Sequence, residues 1–106
     1  MLQPHAIAPQ GPAFSPLIAG YWRLMEWGMT PQQLVQFIEH HLALGITTVD
    51  HADIYGDYRC EAAFGEALRL APQLRQQLQI VTKCGIATRA KPEHKIGHYI
   101  TEASHI

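Results

Sequence analysis

The sequence predicts an α/β fold built on parallel strands, and three observations carry that expectation. Short apolar, β-branched runs alternate with longer segments of helical periodicity, in the order strand–helix–strand–helix–strand. The repeat is about 30 residues, the spacing of right-handed βαβ crossovers. Each run ends in polar, ionisable or aromatic residues next to a glycine, as when a sheet delivers functional groups to one end.

Residues 1–16 hold Pro4, Pro9, Pro12 and Pro16, a density that excludes a central strand. His5-Ala6-Ile7-Ala8 and the apolar residues after Pro12 fit a short edge hairpin, joined across Pro9-Gln10-Gly11-Pro12. Leu17-Ile18-Ala19-Gly20-Tyr21-Trp22 reads as the first buried strand. Thr30 then takes the N-cap of a helix, Pro31 its first position, and Gln33 completes a capping box. Leu34, Phe37, Ile38, His41 and Leu42 share one buried face, and Gly45 suits a left-handed C-cap.

The chain is organised around Gly45-Ile46-Thr47-Thr48-Val49-Asp50-His51-Ala52-Asp53-Ile54-Tyr55-Gly56. Ile46 to Val49 favour a strand, Asp50 stands where it ends, and Tyr55 follows in the loop. A helix over Cys60–Leu70 comes next, with Ala63, Phe64, Ala67 and Leu68 on one face and Gly65 allowing close packing. Pro72 closes or restarts it, and Leu74 to Leu78 form another turn. The strand Leu78-Gln79-Ile80-Val81-Thr82-Lys83-Cys84-Gly85 ends at Lys83. Residues 86–100 read as a long, mostly polar loop, and Thr101 or Ser104 as an N-cap shortly before Ile106. Asp50, Tyr55 and Lys83 therefore converge at one rim.

A doubly wound dinucleotide-binding sheet calls for a Gly-rich turn after its first strand, and Gly20-Tyr21-Trp22-Arg23 lacks one. A (β/α)8 TIM barrel needs no such turn, but it needs about 250 residues. The 106 residues supply about three βα units, so the expected fold is the N-terminal part of such a barrel. Residues 1–16 form its hairpin cap and residues 17–106 its first three βα units, the chain being truncated. A small complete flavodoxin-like domain is a weaker alternative, because no phosphate loop is visible.

Composition narrows the function. A formal charge of −1 and a pI near 6.6 give no electrostatic reason to expect nucleic acid or an anionic membrane as partner. No apolar run reaches the roughly 20 residues of a membrane span, and Met1-Leu2-Gln3-Pro4-His5 lacks the features of a secretory signal. Cys60 and Cys84 match no metal or redox spacing, which points to a reducing, cytoplasmic setting. Seven histidines include His94 and His98, four apart, and the adjacent His40 and His41, yet no carboxylate–histidine motif accompanies them. No metal is expected. His41 reads as covering apolar surface on its helix. Cys84 reads as buried packing at a strand end rather than a reactive thiol, Tyr58 as a surface loop residue, and Glu61 as a first-turn helix residue favoured by the dipole.

An Asp–Lys pair between neighbouring strands is by itself more often structural than catalytic. The residues around it weigh toward chemistry. Asp50-His51-Ala52-Asp53-Ile54-Tyr55-Gly56 followed by Glu61-Ala62-Ala63-Phe64-Gly65-Glu66-Ala67-Leu68 resembles the signature of the aldo-keto reductases. Val81-Thr82-Lys83-Cys84-Gly85 resembles that family's Thr-Lys strand end, and Leu17-Ile18-Ala19-Gly20-Tyr21-Trp22 its first strand. The resemblance implies an NADPH-dependent reduction of aldehydes or ketones to alcohols, with Tyr55 the general acid, Lys83 beside it and Asp50 orienting Lys83. Gly20, Tyr21 and Asp50 would lie at the cofactor's nicotinamide end, and Trp22 and Tyr55 would line the substrate pocket. The family's fourth catalytic member, a histidine on the next strand, would fall beyond Ile106. His51 stands where the family commonly has Thr, a variation expected to point to the other face of the strand.

The chemistry has a basis apart from the family. A free phenol titrates near pH 10 and gives up its proton reluctantly at neutral pH. A neighbouring ammonium stabilises the phenolate that donation leaves behind. The competing reading is an inactive fragment: a three-strand piece of barrel leaves a strand edge and apolar faces uncovered, so it would self-associate or need a partner.

Overall fold

The computed structural model describes residues 3–87 together with 98 and 99. Strand β1 (His5–Ala6) pairs antiparallel with β2 (Ala13–Phe14), His5 opposite Phe14, and Gly11 N–H donates to the Ala8 carbonyl in the connecting turn. This is the expected hairpin, cut short by its prolines. Strands β3 (Ile18–Gly20), β4 (Thr48–Asp50) and β5 (Gln79–Val81) form a parallel sheet in that order. Ile18, Thr48 and Gln79 share one level, and Gly20, Asp50 and Val81 share the level nearest the carboxyl ends. The ladder runs on past these strands, from Tyr21 N–H to the Asp50 carbonyl, His51 N–H to Val81, and Asp53 N–H to Lys83.

Alternation along the strands sorts the side chains. Ala19, Tyr21, Val49, His51 and Ile80 face the helices, where Tyr21, Val49 and His51 are buried. Ile18, Gly20, Asp50, Val81 and Lys83 face the other way. Ile18 is 50% exposed there, so the first strand is not buried as expected. On its helix side Tyr21 is buried and Ala19 partly so, while Leu17, 58% exposed, and the residues of its other face are open.

Helix α1 (Pro31–Ala43) has the capping box its sequence specifies. Thr30 Oγ1 accepts from Gln33 N–H at 3.1 Å, and Gln33 Oε1 accepts from Thr30 N–H at 2.9 Å. At the other end Gly45, with φ 85°, makes a Schellman turn: Gly45 N–H donates to Leu42 and Ile46 N–H to His41. Leu34, Ile38 and His41 are buried on the face that packs against the helix over Cys60–Leu70 and the sheet.

His41 does more than cover apolar surface. Its Nδ1 lies 2.7 Å from the Ile46 carbonyl, which can only accept, so Nδ1 carries a proton. Burial holds the imidazole below its usual range, only partly offset by that carbonyl, so the ring is neutral and its Nε2 accepts from the Tyr21 hydroxyl at 2.8 Å. One side chain thus ties the helix end, the segment leading into β4 and the core tyrosine.

Helix α3 (Cys60–Leu70) buries Cys60, Phe64 and Ala67, and the 3-10 helix Pro72–Gln77 adds Leu74 before β5. Gly65 is not a close-packing site, because a Cβ there would meet nothing within 4 Å. Residues 86–100 are not simply a loop. Strand β6 (Ile86–Ala87) pairs antiparallel with β7 (His98–Tyr99), Ile86 opposite Tyr99. The N-caps expected at Thr101 or Ser104, and His94, lie outside the described residues.

At the amino ends of the strands the hairpin is stitched on by Ser15, which is 4% exposed. Its hydroxyl accepts from Thr47 N–H (3.2 Å) and Thr48 N–H (3.1 Å) and donates to the Leu17 carbonyl (2.6 Å). Ser15 N–H donates to Thr48 Oγ1, which in turn donates to Gln79 Oε1. All of the Ser15 hydroxyl's bonding capacity is used. No described helix is long and apolar enough to cross a membrane.

Candidate active site

The carboxyl ends of β4 and β5 bring Asp50, Tyr55 and Lys83 together. Lys83 lies two residues past Val81, on the same face of the sheet as Asp50, the register partner of Val81. Its Nζ is 2.8 Å from Asp50 Oδ1, 2.7 Å from the His51 carbonyl and 3.1 Å from the Tyr55 hydroxyl. An ammonium has three protons and no lone pair, so these contacts use all three donors and make the Tyr55 oxygen an acceptor. The Tyr55 proton is then left to be given to some other group. Partial burial pulls the Lys83 ammonium down, but its hydrogen bonds to Asp50 and Tyr55, and their charges, outweigh this and leave it raised. Lys83 stays charged. The ammonium also sits 4.9 Å from the Tyr55 ring centroid, within cation–π range.

Tyr55 opens a four-residue turn, α2 (Tyr55–Tyr58), whose backbone is left-handed. Gly56, Asp57 and Tyr58 have φ of 61°, 54° and 68°. Glycine is required at its first left-handed position twice over, by φ and by space. A Cβ on Gly56 would lie 2.6 Å from Cys60 Sγ and 2.7 Å from Met25 Cγ. Aspartate tolerates this region better than most residues, whereas tyrosine has no such ease.

His51 points to the helix side, as expected for a neighbour of Asp50. Its ring is 1% exposed, stacked on Tyr21 with centroids 5.0 Å apart and planes 14° apart, and set edge-on to Phe64 at 4.6 Å. Neither ring nitrogen has a hydrogen-bond partner among the described residues. Burial lowers its pKa; Glu61 and Asp50 raise it part of the way back, and Lys83 lowers it further.

The remaining sequence-derived site residues divide. Gly20 stands beside Asp50 and, with Ile18 and Val81, borders an open cavity of about 340 Å³. The Tyr21 ring is not at this rim. It is 0% exposed, in the core with Phe37 and Phe64, and burial raises its phenol far above the ordinary range. Trp22 is 63% exposed under the Arg23 guanidinium and lines a cavity of about 420 Å³ with Ile54, Gly56 and Arg59. Tyr55 lines a different one, of about 350 Å³, between Ala52–Tyr55 and Lys83–Ile86. Cys84 is exposed on the wall of that second cavity, not packed at a strand end. Tyr58 is not a plain surface residue either, since its hydroxyl donates to the Ile86 carbonyl at 2.8 Å. Glu61 is on the first turn of α3 and accepts from the Thr82 hydroxyl. Among the described residues no three His, Cys, Asp or Glu side chains converge to hold a metal.

Sequence reasoning missed two contributors. The His51 carbonyl completes the Lys83 shell, and a search for a third acceptor for an ammonium with two side-chain partners would have pointed to it. Tyr58 is signalled only by the Gly56-Asp57 pair, two residues suited to left-handed backbone.

The profile of the aldo/keto reductase family matches residues 16–104. The chain is 67% identical over 106 residues to the oxidoreductase YdhF of Escherichia coli strain K12, covering all of this chain and 36% of that protein. It is 50% identical over 95 residues to the oxidoreductase YcsN of Bacillus subtilis strain 168, covering 88% of this chain and 32% of that one. It is 46% identical over 95 residues to the 6-dehydroglucose reductase of Agrobacterium fabrum strain C58, covering 87% and 32%. The chain thus spans about a third of the length of the curated relatives it matches. Among solved structures, the holo form of the aldo-keto reductase AKR11C1 from Bacillus halodurans superposes with a TM-score of 0.73 at 21% identity, over 99% of this chain and 33% of that one. PA4992 of Pseudomonas aeruginosa gives 0.74 at 24% identity, over 96% and 37%. These likenesses show the fold, in which the hairpin and three parallel strands are the N-terminal part of a (β/α)8 barrel rather than a doubly wound sheet. The chain belongs to the aldo/keto reductase family.

Proposed function

We propose that the natural protein carrying this chain is an NADPH-dependent oxidoreductase that reduces aldehydes or ketones to alcohols. One observation carries the reading: Lys83 divides its three protons among Asp50, the His51 carbonyl and the Tyr55 hydroxyl. Tyr55 then donates its own proton to the carbonyl oxygen of a substrate, as general acid. Lys83, 3.1 Å away, stabilises the phenolate left behind, and Asp50 keeps Lys83 aimed.

The residues at hand fit a nicotinamide cofactor. Nothing lies within 4 Å of where a Cβ would stand on Gly20, and the cavity beside it is bordered by Asp50. Gly20 and Asp50 would hold the nicotinamide end, and Tyr21 would contribute through its backbone alone. When bound, the cofactor supplies a hydride to the carbonyl carbon. Trp22, exposed beside the Tyr55 turn, would border the substrate mouth.

The test is NADPH and NADH consumption by the natural protein with a panel of aldehydes and ketones. The panel should include 6-dehydroglucose, because the Agrobacterium relative is named for it. Tyr55→Phe should lower kcat by about 10²–10⁴-fold while the cofactor Kd stays within about twofold. Full turnover in that variant would remove Tyr55 as the acid.

A further inference from the structure

We propose that Tyr58 is a positioning residue for Tyr55, acting as a latch that pins the left-handed turn to the segment following Lys83. Its catalytic consequence rests on the function proposed above; the latch itself does not. Two tyrosines at the ends of one short turn reach the same stretch of chain. Tyr55 meets Lys83 at 3.1 Å, and Tyr58 donates to the carbonyl of Ile86 at 2.8 Å. The two contacts frame the cavity that Tyr55, Lys83 and Ile86 line between them.

The turn needs holding. Gly56, Asp57 and Tyr58 are left-handed in succession, and L-residues adopt that backbone singly rather than in runs. Asp57 is of the type that tolerates such a φ, whereas a tyrosine at φ 68° has no such ease. Arg59 Nε donates to the Gly56 carbonyl at 3.0 Å, which braces the turn against itself but not against the sheet. The Tyr58 hydroxyl reaches 28 residues along the chain to the far wall of the cavity. Cutting that bond lets the turn relax, and Tyr55 at its head moves relative to Lys83. A displacement of about 1 Å in a reacting group can lower a rate by as much as about 10²-fold.

Tyr58→Phe in the natural protein removes only the hydroxyl. Amide hydrogen exchange should rise at least about tenfold in residues 55–59 and 84–87, with α1 unchanged, because a bond between those two segments is gone. Reductase kcat should fall about five- to fiftyfold, with KM and cofactor Kd within about twofold. In a Tyr55→Phe background the same substitution should leave the residual rate unchanged, since a latch acts only through the group it positions. Unchanged exchange in Tyr58→Phe overturns the latch, whether or not the protein reduces carbonyls. Raised exchange with an unchanged kcat in an active protein overturns its positioning role, as does an equal loss in both backgrounds. A wild-type protein with no reductase activity would count against the proposed function, and the exchange measurement would still decide the latch.

Discussion

His51 lies flat against Tyr21, ring centroids 5.0 Å apart and planes 14° apart, while its own carbonyl accepts a hydrogen bond from Lys83 Nζ at 2.7 Å. The ring is fixed in the core and the backbone beside it is fixed at the rim. Packing between sheet and helices therefore sets where Lys83 can stand.

That arrangement makes stability depend on pH. His51 and His41 both have folded pKa values below the ordinary histidine value of about 6.5. As pH falls through that value the unfolded chain takes up protons that the folded chain refuses, so stability falls with pH until the folded pKa is reached. His51→Phe keeps a flat ring and removes one titrating group and two nitrogens that have no hydrogen-bond partner among the described residues. Its urea midpoint at pH 7 should equal or exceed wild type, and the loss between pH 7 and 5 should shrink without vanishing, His41 remaining. An unaltered pH dependence would show that His51 titrates as freely folded as unfolded.

Two glycines should respond to alanine with opposite signs. Gly56→Ala places a methyl 2.6 Å from Cys60 Sγ at a φ of 61° and should cost about 1–3 kcal/mol by chemical denaturation. Gly65→Ala, exposed within α3 with open space around it, should gain about 0.5–1 kcal/mol through helix propensity. Equal effects would deny the tight contact among Gly56, Cys60 and Met25.

Asp50→Asn should separate activity from stability. The Asp50–Lys83 pair is half-exposed, with side-chain exposures of 37% and 51%, and water screens it. Removing the charge should therefore change stability by no more than about 1 kcal/mol. The loss of orientation at Lys83 should lower kcat about ten- to a hundredfold. A parallel loss of both would make the pair a structural tie.

Much of the scaffold is written locally. Thr30, Pro31 and Gln33 specify a helix start within four residues, Gly45 its end, and the hydrophobic spacing its buried face, so these were legible. Asp50 and Lys83 were legible because strand ends in a parallel sheet share a rim. Bonds between distant residues were not. Tyr58 looked like a surface residue because its partner is the backbone of Ile86, which any residue would present equally. His41 and Tyr21 form a buried pair 20 residues apart, so neither announces the other. Tyr21 was placed at the rim because it follows Gly20, yet the strand's alternation turns it into the core. Gly65 and Cys84 show the converse: small residues near helices and strand ends suggest close packing, but both lie exposed.

The Ser15 stitches set an order of events during synthesis. Ser15 is held by the amides of Thr47 and Thr48, 32 and 33 residues later in the chain. At ribosomal speeds of about 5–20 residues per second, those partners emerge roughly 2–7 s after Ser15 itself. The nascent hairpin must wait that long, exposed, before it can dock. Its prolines and two-residue strands offer little to a neighbouring chain in the interval, and that reticence protects the hairpin until β4 arrives.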